Sequence, residues 1–258
     1  MAEFVTLDLV EGDTARGVAV LRIDRPPMNL LSAQVLREVA EAADRVAADR
    51  AIAALVVYGD ERVFCAGDDL AELATWSHRE AEAMAADIQA ALGCLARVPQ
   101  PTVAAISGYA LGGGLELALG ADRRIVGDNA KLGFPQITTG SIPLAGIRRL
   151  TTLIGPGAAK DLVYTGRFVE HAEARALGLV DEVVAPDDVY SAALSWATRF
   201  VNAPARALAA AKAVFEAGSH GTDRARGEWS GLFETEDLRA GLESALANGP
   251  GSAVFTGR

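Results

Sequence analysis

The chain is short of the residues that most often carry recognisable chemistry. Two cysteines, Cys65 and Cys94, stand in 258 residues; they are too few for a disulfide framework and fit a reducing compartment. The three histidines, His78, His171 and His220, have no cysteine or carboxylate at ligand spacing, and neither HExxH nor CxxC occurs, so no metal site is expected. Only three cations are lysines (Lys131, Lys160 and Lys212), and 24 Lys+Arg face 34 Asp+Glu, a formal net charge of −10. That excludes a polybasic membrane patch and argues against nucleic acid as a partner, since such binding depends on neutralising phosphates. No apolar run approaches the roughly 18 residues of a membrane span. Met1-Ala2-Glu3-Phe4 lacks the charged-then-apolar layout of a signal peptide. A soluble, cytoplasmic protein is expected. Nucleotide-cradling GxGxxG, a P-loop lysine and the GxSxG elbow of serine hydrolases are absent too.

What is present is an apolar chain, half hydrophobic but only 6% aromatic, long enough for one large domain or one domain with a small appendage. Phe4–Val10 and Val18–Ile23 read as strands about a turn at Glu11-Gly12-Asp13. Ser32 is placed to cap a helix running to about Ala48, with Val35, Val39 and Val46 on one face. Ile52–Tyr58 and Thr102–Ile106 are continuous apolar runs of strand length, the pattern of strands buried on both faces. Ser77–Arg97 carries Met84, Ile88, Leu92 and Leu95 at helical spacing and stops at Pro99 and Pro101. Arg123–Val126 is a further short strand. The order strand, glycine-bearing loop, helix occurs twice, which makes this an α/β fold. From about Gly155 the chain becomes mostly helical. Residues 1–195 are expected to form the core and 196–258 a helical region suited to oligomerisation, with Trp196, Phe200, Phe215, Trp229 and Phe233 among the groups that neighbouring subunits would cover.

Each glycine loop follows a buried strand and precedes a helix, where backbone N–H groups lack intrahelical partners. Two such N–H groups converging on one point would form an oxyanion hole, worth roughly 10²–10³ in rate per donor; alternatively the glycines only permit tight turns. Glu116 follows the triple glycine among Leu115, Leu117, Ala118 and Leu119. It reads either as charge compensation at a helix start or as a general base tuned by apolar surroundings. Spacing leaves both open.

Phe64-Cys65-Ala66-Gly67-Asp68-Asp69-Leu70 and Ala104-Ala105-Ile106-Ser107-Gly108-Tyr109-Ala110-Leu111-Gly112-Gly113-Gly114-Leu115-Glu116-Leu117-Ala118-Leu119 closely resemble the two signature blocks of the enoyl-CoA hydratase/isomerase (crotonase) family. The likeness continues through Asp122, residues 128–133, 140–143, 165–167 and 176–181, and Phe233-Glu234-Thr235-Glu236-Asp237. It implies a crotonase-type spiral of ββα units that binds acyl-CoA thioesters, with a C-terminal helical region building a homotrimer or a dimer of trimers. It implies no cofactor beyond the coenzyme A carried by the substrate. The N–H groups that hold the thioester oxygen fall on Asp68 and Gly113, and the first of the family's two catalytic glutamates on Glu116. By the same resemblance Ala66, Gly67, Leu70 and Gly112, with Asn29 and Arg62, are substrate-binding positions; Arg62 reads equally as an ordinary loop arginine.

The second glutamate position is Gln136, which holds a water but exchanges no proton at neutral pH. Leu144-Ala145-Gly146-Ile147-Arg148-Arg149 is bulkier than the family's glycine-rich turn, Asn29-Leu30-Leu31 replaces the usual Asn-Ala-Leu, and Ala71 stands where a lysine is frequent. The resemblance therefore implies a hydratase working through one glutamate. A proton-shuttling isomerase, or an acyl-CoA-binding protein without catalysis, are the alternatives.

Overall fold

The computed structural model describes residues 2–10, 16–218, 221–248 and 251–257; the turn expected at residues 11–13, and His220, lie outside them. Strands β1 (Val5–Val10) and β2 (Gly17–Ile23) pair antiparallel, Val5 opposite Ile23 and Val10 opposite Val18. Helix α1 (Ala33–Ala48) follows, and the Ser32 hydroxyl accepts the Val35 N–H at its start. Its face carries Val35, Val39 and Val46 into the core with no exposed surface, each worth about 1.5–3 kcal/mol of apolar burial.

Next come β3 (Ile52–Tyr58), β4 (Val63–Cys65), α2 (Leu70–Leu73), α3 (His78–Leu92), α4 (Cys94–Arg97), β5 (Thr102–Ile106), β6 (Tyr109–Leu111) and α5 (Gly113–Ala118). After them run β7 (Arg123–Gly127), β8 (Lys131–Gly133), α6 (Gly146–Thr165), β9 (Phe168–Glu170), α7 (His171–Leu177) and β10 (Glu182–Val184). The expected helix 77–97 is thus two helices, interrupted at Gly93, and the one expected strand after each buried run is followed by a second, three-residue strand. Those short strands collect into their own sheet, in the order β4-β6-β8-β9, beside a six-stranded sheet ordered β1-β2-β3-β5-β7-β10. From β3 to β8 each turn of chain gives one strand to the large sheet and the next to the small one, the ββα spiral that the resemblance implied.

The apolar runs are buried on both faces, as their composition required. In β3, Leu55 and Val57 face the main core while Ala54 and Val56 face a second cluster. Helix α8 (Val189–Thr198) closes that second face with Val189, Ala193 and Ala197. The expected division at 195/196 falls within this helix. Trp196 and Phe200 pack on that cluster, edge-on to each other with ring centroids 4.8 Å apart. Both are partly buried there by the chain itself.

Helices α9 (Ala205–Glu216), α10 (Gly221–Gly231) and α11 (Glu236–Asn248) complete the described chain. Buried Lys212 ties α9 to the body: its Nζ donates to Leu95 O, Gln100 O, Thr102 Oγ1 and, at 2.8 Å, Asp122 Oδ2. Among the described residues no helix is long and apolar enough to cross a membrane.

Candidate active site

The site forms where the second strands of two successive spiral turns end. β4 and β6 lie side by side with Cys65 opposite Ala110; three residues beyond each are Asp68 and Gly113. Residues 28–31 hold the first loop from outside. Ala66 N–H donates to Met28 O (3.0 Å), Leu31 N–H to Gly67 O (2.8 Å) and Asp69 N–H to Leu31 O (3.0 Å). Asn29 adopts a left-handed φ of 53° that asparagine tolerates. Its amide donates to Val63 O and Phe64 O and accepts the Arg25 N–H. Asp69 caps α2, and the Arg25 guanidinium donates to it at 2.7 Å, holding its carboxyl below the usual range.

In the second loop Gly112 has φ 51° and ψ −127°, open only to glycine, and donates its N–H to Gly133 O at 2.9 Å. Gly114 backs onto β4, where a Cβ would meet Cys65 O at 2.5 Å. These two constraints press α5 against the strand pair and leave the Gly113 N–H, first in the helix, without an intrahelical partner.

Glu116, in the first turn of α5, is 2% exposed. Its Oε2 accepts the N–H groups of Ala145 (2.5 Å) and Gly146 (2.6 Å), and its Oε1 the Gln136 side-chain N–H at 3.1 Å. Burial pushes its carboxyl up to about 7; the Ala145 and Gly146 hydrogen bonds pull it down and the nearby Asp68 charge adds to the rise. Gln136 sits in the 3₁₀ turn Pro135–Thr139, and its Oε1 is buried without a hydrogen-bond partner among the described residues. A carboxyl poised near neutrality thus receives the Gln136 amide N–H, while the oxygen of the same amide lacks a donor among the described residues.

The structure brings together Asp68, Gly67, Gly112, Gly113, Glu116 and Gln136. Ala66 is half-buried in the first loop, and Leu70 is exposed at its rim. Asn29 supports that loop from behind, with its amide bonded to backbone on both sides. Arg62 is exposed on the turn before β4, where Asp60 accepts its backbone N–H at 2.6 Å. Cys65 and Cys94 are buried free thiols, each pushed to about 12 by burial, which keeps them from reacting as thiolates. Among the described residues no group of three or more His, Cys, Asp or Glu is placed to hold a metal ion.

Residues 13–231 match the family model described as enoyl-CoA hydratase/isomerase. The chain belongs to the enoyl-CoA hydratase/isomerase family. It is 50% identical over 212 residues to the probable enoyl-CoA hydratase EchA17 of Mycobacterium tuberculosis, covering 82% of this chain and 81% of that one. It is also 50% identical over 216 residues to the EchA17 of Mycobacterium avium, covering 83% and 84%. The crystal structure of enoyl-CoA hydratase from Bacillus anthracis superposes with a TM-score of 0.89 at 30% identity, covering 99% of this chain and 100% of that one. That of Pseudomonas aeruginosa DspI gives 0.84 at 30% identity, covering 94% of each.

Two features of this family member lay beyond sequence reasoning. The donors to Glu116 come from the turn at Leu144–Arg149, which the sequence marks only as unusual. Gly146 is the one local signal, since a Cβ there would lie 2.8 Å from Glu116 Cγ. The Arg25–Asp69 pair spans 44 residues of chain and follows no motif.

Proposed function

We propose that the protein adds water to a 2-enoyl-CoA thioester, using Glu116 as its one acid–base group. The observation that carries this reading is the buried Glu116 carboxyl near pKa 7 beside the unpartnered Gln136 Oε1. The thioester oxygen would accept the N–H groups of Asp68 and Gly113. A water would give one proton to ionised Glu116 and donate its other O–H to Gln136 Oε1. As its oxygen bonds to the β-carbon, the double-bond electrons move to the α-carbon and onto the thioester oxygen, and the two N–H groups stabilise that enolate. The α-carbon then takes a proton from protonated Glu116 or from solvent, which balances the addition. A base near its operating pH is the effective one. Exposed Leu70, Leu73, Ile137, Ile142, Leu144 and Ile147 flank the site and suit an acyl chain. Arg62 is the candidate contact for the phosphates, and coenzyme A enters only as part of the substrate.

Gln136 also favours a second reading. With no second acid, Glu116 can take a proton from the α-carbon of a 3-enoyl-CoA and return it to the γ-carbon, which is isomerisation. Retention of a buried, tuned Glu116 favours either reaction over acyl-CoA binding alone. Following the conjugated thioester absorbance tests them: loss with 2-enoyl-CoAs of short and long chain supports hydration. A gain with 3-enoyl-CoA and no change with 2-enoyl-CoA overturns it in favour of isomerisation. Silence in both assays with binding intact leaves the non-catalytic reading.

A further inference from the structure

The reading above uses Asp68 only through its backbone N–H, yet its side chain lies in the same place. A Cβ on Gly113 would meet Asp68 Oδ1 at 2.5 Å and Cγ at 3.3 Å, and one on Gly112 would meet Oδ2 at 3.3 Å. The carboxylate is laid across the Gly112–Gly113 peptide. The backbone groups that favour its charge are the Gly113 N–H and its own N–H, the two donors assigned to the thioester oxygen. An ionised carboxylate is a stronger acceptor than a neutral carbonyl, because charge-assisted bonds are roughly twice as strong.

We propose that in the free protein the Asp68 carboxylate occupies the oxyanion hole, and that an acyl-CoA binds productively only by displacing it. This rests on the assignment of those two N–H groups to the thioester oxygen. Asp68 is then a gate on substrate entry as well as a donor.

Few charges besides its own bear on it. Glu116 faces it from α5, and each carboxylate disfavours the other's charge. Cys65 on β4 is a neutral thiol, its pKa about 12. The Gln136 amide is neutral, and Arg25 is committed to Asp69 at 2.7 Å. Burial pushes the Asp68 carboxyl above its ordinary value, and the two N–H groups pull it back. Displacement takes it away from both N–H groups, so its pKa rises further. Binding therefore takes up a proton and weakens as pH increases.

The test is the Kd of butyryl-CoA, which has no double bond to react, measured calorimetrically from pH 5.5 to 8.5. Wild type is compared with Asp68→Asn and Asp68→Ala. The 3′-phosphate of coenzyme A titrates in all three; because Glu116 is coupled to Asp68, each protein is also measured with Glu116→Gln, and the difference on that background isolates Asp68. Wild type should weaken more steeply with pH than either variant. At pH 8 Asp68→Ala should bind roughly tenfold tighter or more, as expected when charge-assisted hydrogen bonds no longer compete. Asp68→Asn keeps the shape and should flatten the pH dependence, so the test stands even if the alanine variant misfolds. Equal affinities and equal slopes in folded proteins would overturn the displacement while leaving the acyl-CoA reading intact. No binding by any of the three would overturn both.

Discussion

Glu116 accepts three hydrogen bonds through a carboxyl that water scarcely reaches, and its behaviour follows from that conflict. Its folded pKa of about 7 lies above the ordinary 4.5. Folding therefore favours the protonated form, and the stability it contributes is complete below pH 4.5 and lost as pH rises through 7. Glu116→Gln can keep the Ala145 and Gly146 bonds through its oxygen and offer its NH₂ to Gln136 Oε1. Turnover should fall by roughly 10²–10⁴. The variant's unfolding free energy should gain on wild type between pH 5 and 8, by on the order of 1–3 kcal/mol, read by denaturant melts across that range. Unchanged turnover would reduce Glu116 to a structural group. Gln136→Glu is nearly isosteric and restores the family's pair of carboxylates. Hydration of crotonyl-CoA should speed up, with the pH optimum moved upward because two adjacent carboxylates share one raised pKa. No gain at any pH from 6 to 9 in a folded variant would show that Gln136 is not what limits hydration. Glu116 was legible from the second signature block and Gln136 from the family's second glutamate position. The two backbone donors were not, because Ala145 and Gly146 reach Glu116 across 29 and 30 residues of chain.

Helix α6 brings those donors in. Its first residue is Gly146, and it breaks at Gly155 (φ 78°, ψ 161°), ahead of Pro156. A methyl at 146 would press on Glu116 Cγ at 2.8 Å and on Phe134 at 3.2 Å, so Gly146→Ala should push the N-terminus of α6 off the carboxyl. Losing a hydrogen bond worth about 1 kcal/mol raises the Glu116 pKa by roughly one unit. The acid limb of the kcat profile should shift upward by that amount; an unmoved limb would mean that the turn does not tune Glu116. Long elements were readable in the sequence: Ser32 caps α1 as expected, α3 starts at the amphipathic run after Ser77, and β3 and β5 match their apolar runs. The strands β4, β6, β8, β9 and β10 have three residues each, too few for any alternation to repeat. Only the family resemblance foretold a second sheet.

The C-terminal region leaves Phe215, Trp229, Phe233, Leu246 and Val254 more than half exposed, while Trp196 and Phe200 are partly buried against the chain's own sheet. Sequence could not separate the two groups, because all lie in Ala-rich helical stretches and only packing against β3 and β5 tells them apart. Exposed apolar surface of this kind marks an interaction face. We expect a trimer or a dimer of trimers at micromolar concentration by light scattering, and a monomer mass would refute it.

Cys65 and Ala110 are paired across β4 and β6, and the two hole donors follow at the same distance along the chain. The hole is a caliper with arms of equal length, hinged on one rung of a ladder. Each arm also bends at a glycine of positive φ, Gly67 at 107° and Gly112 at 51°, so the gap depends on the number of residues and on where each arm bends. One inserted or lost residue in either arm would turn its N–H aside and open the jaws.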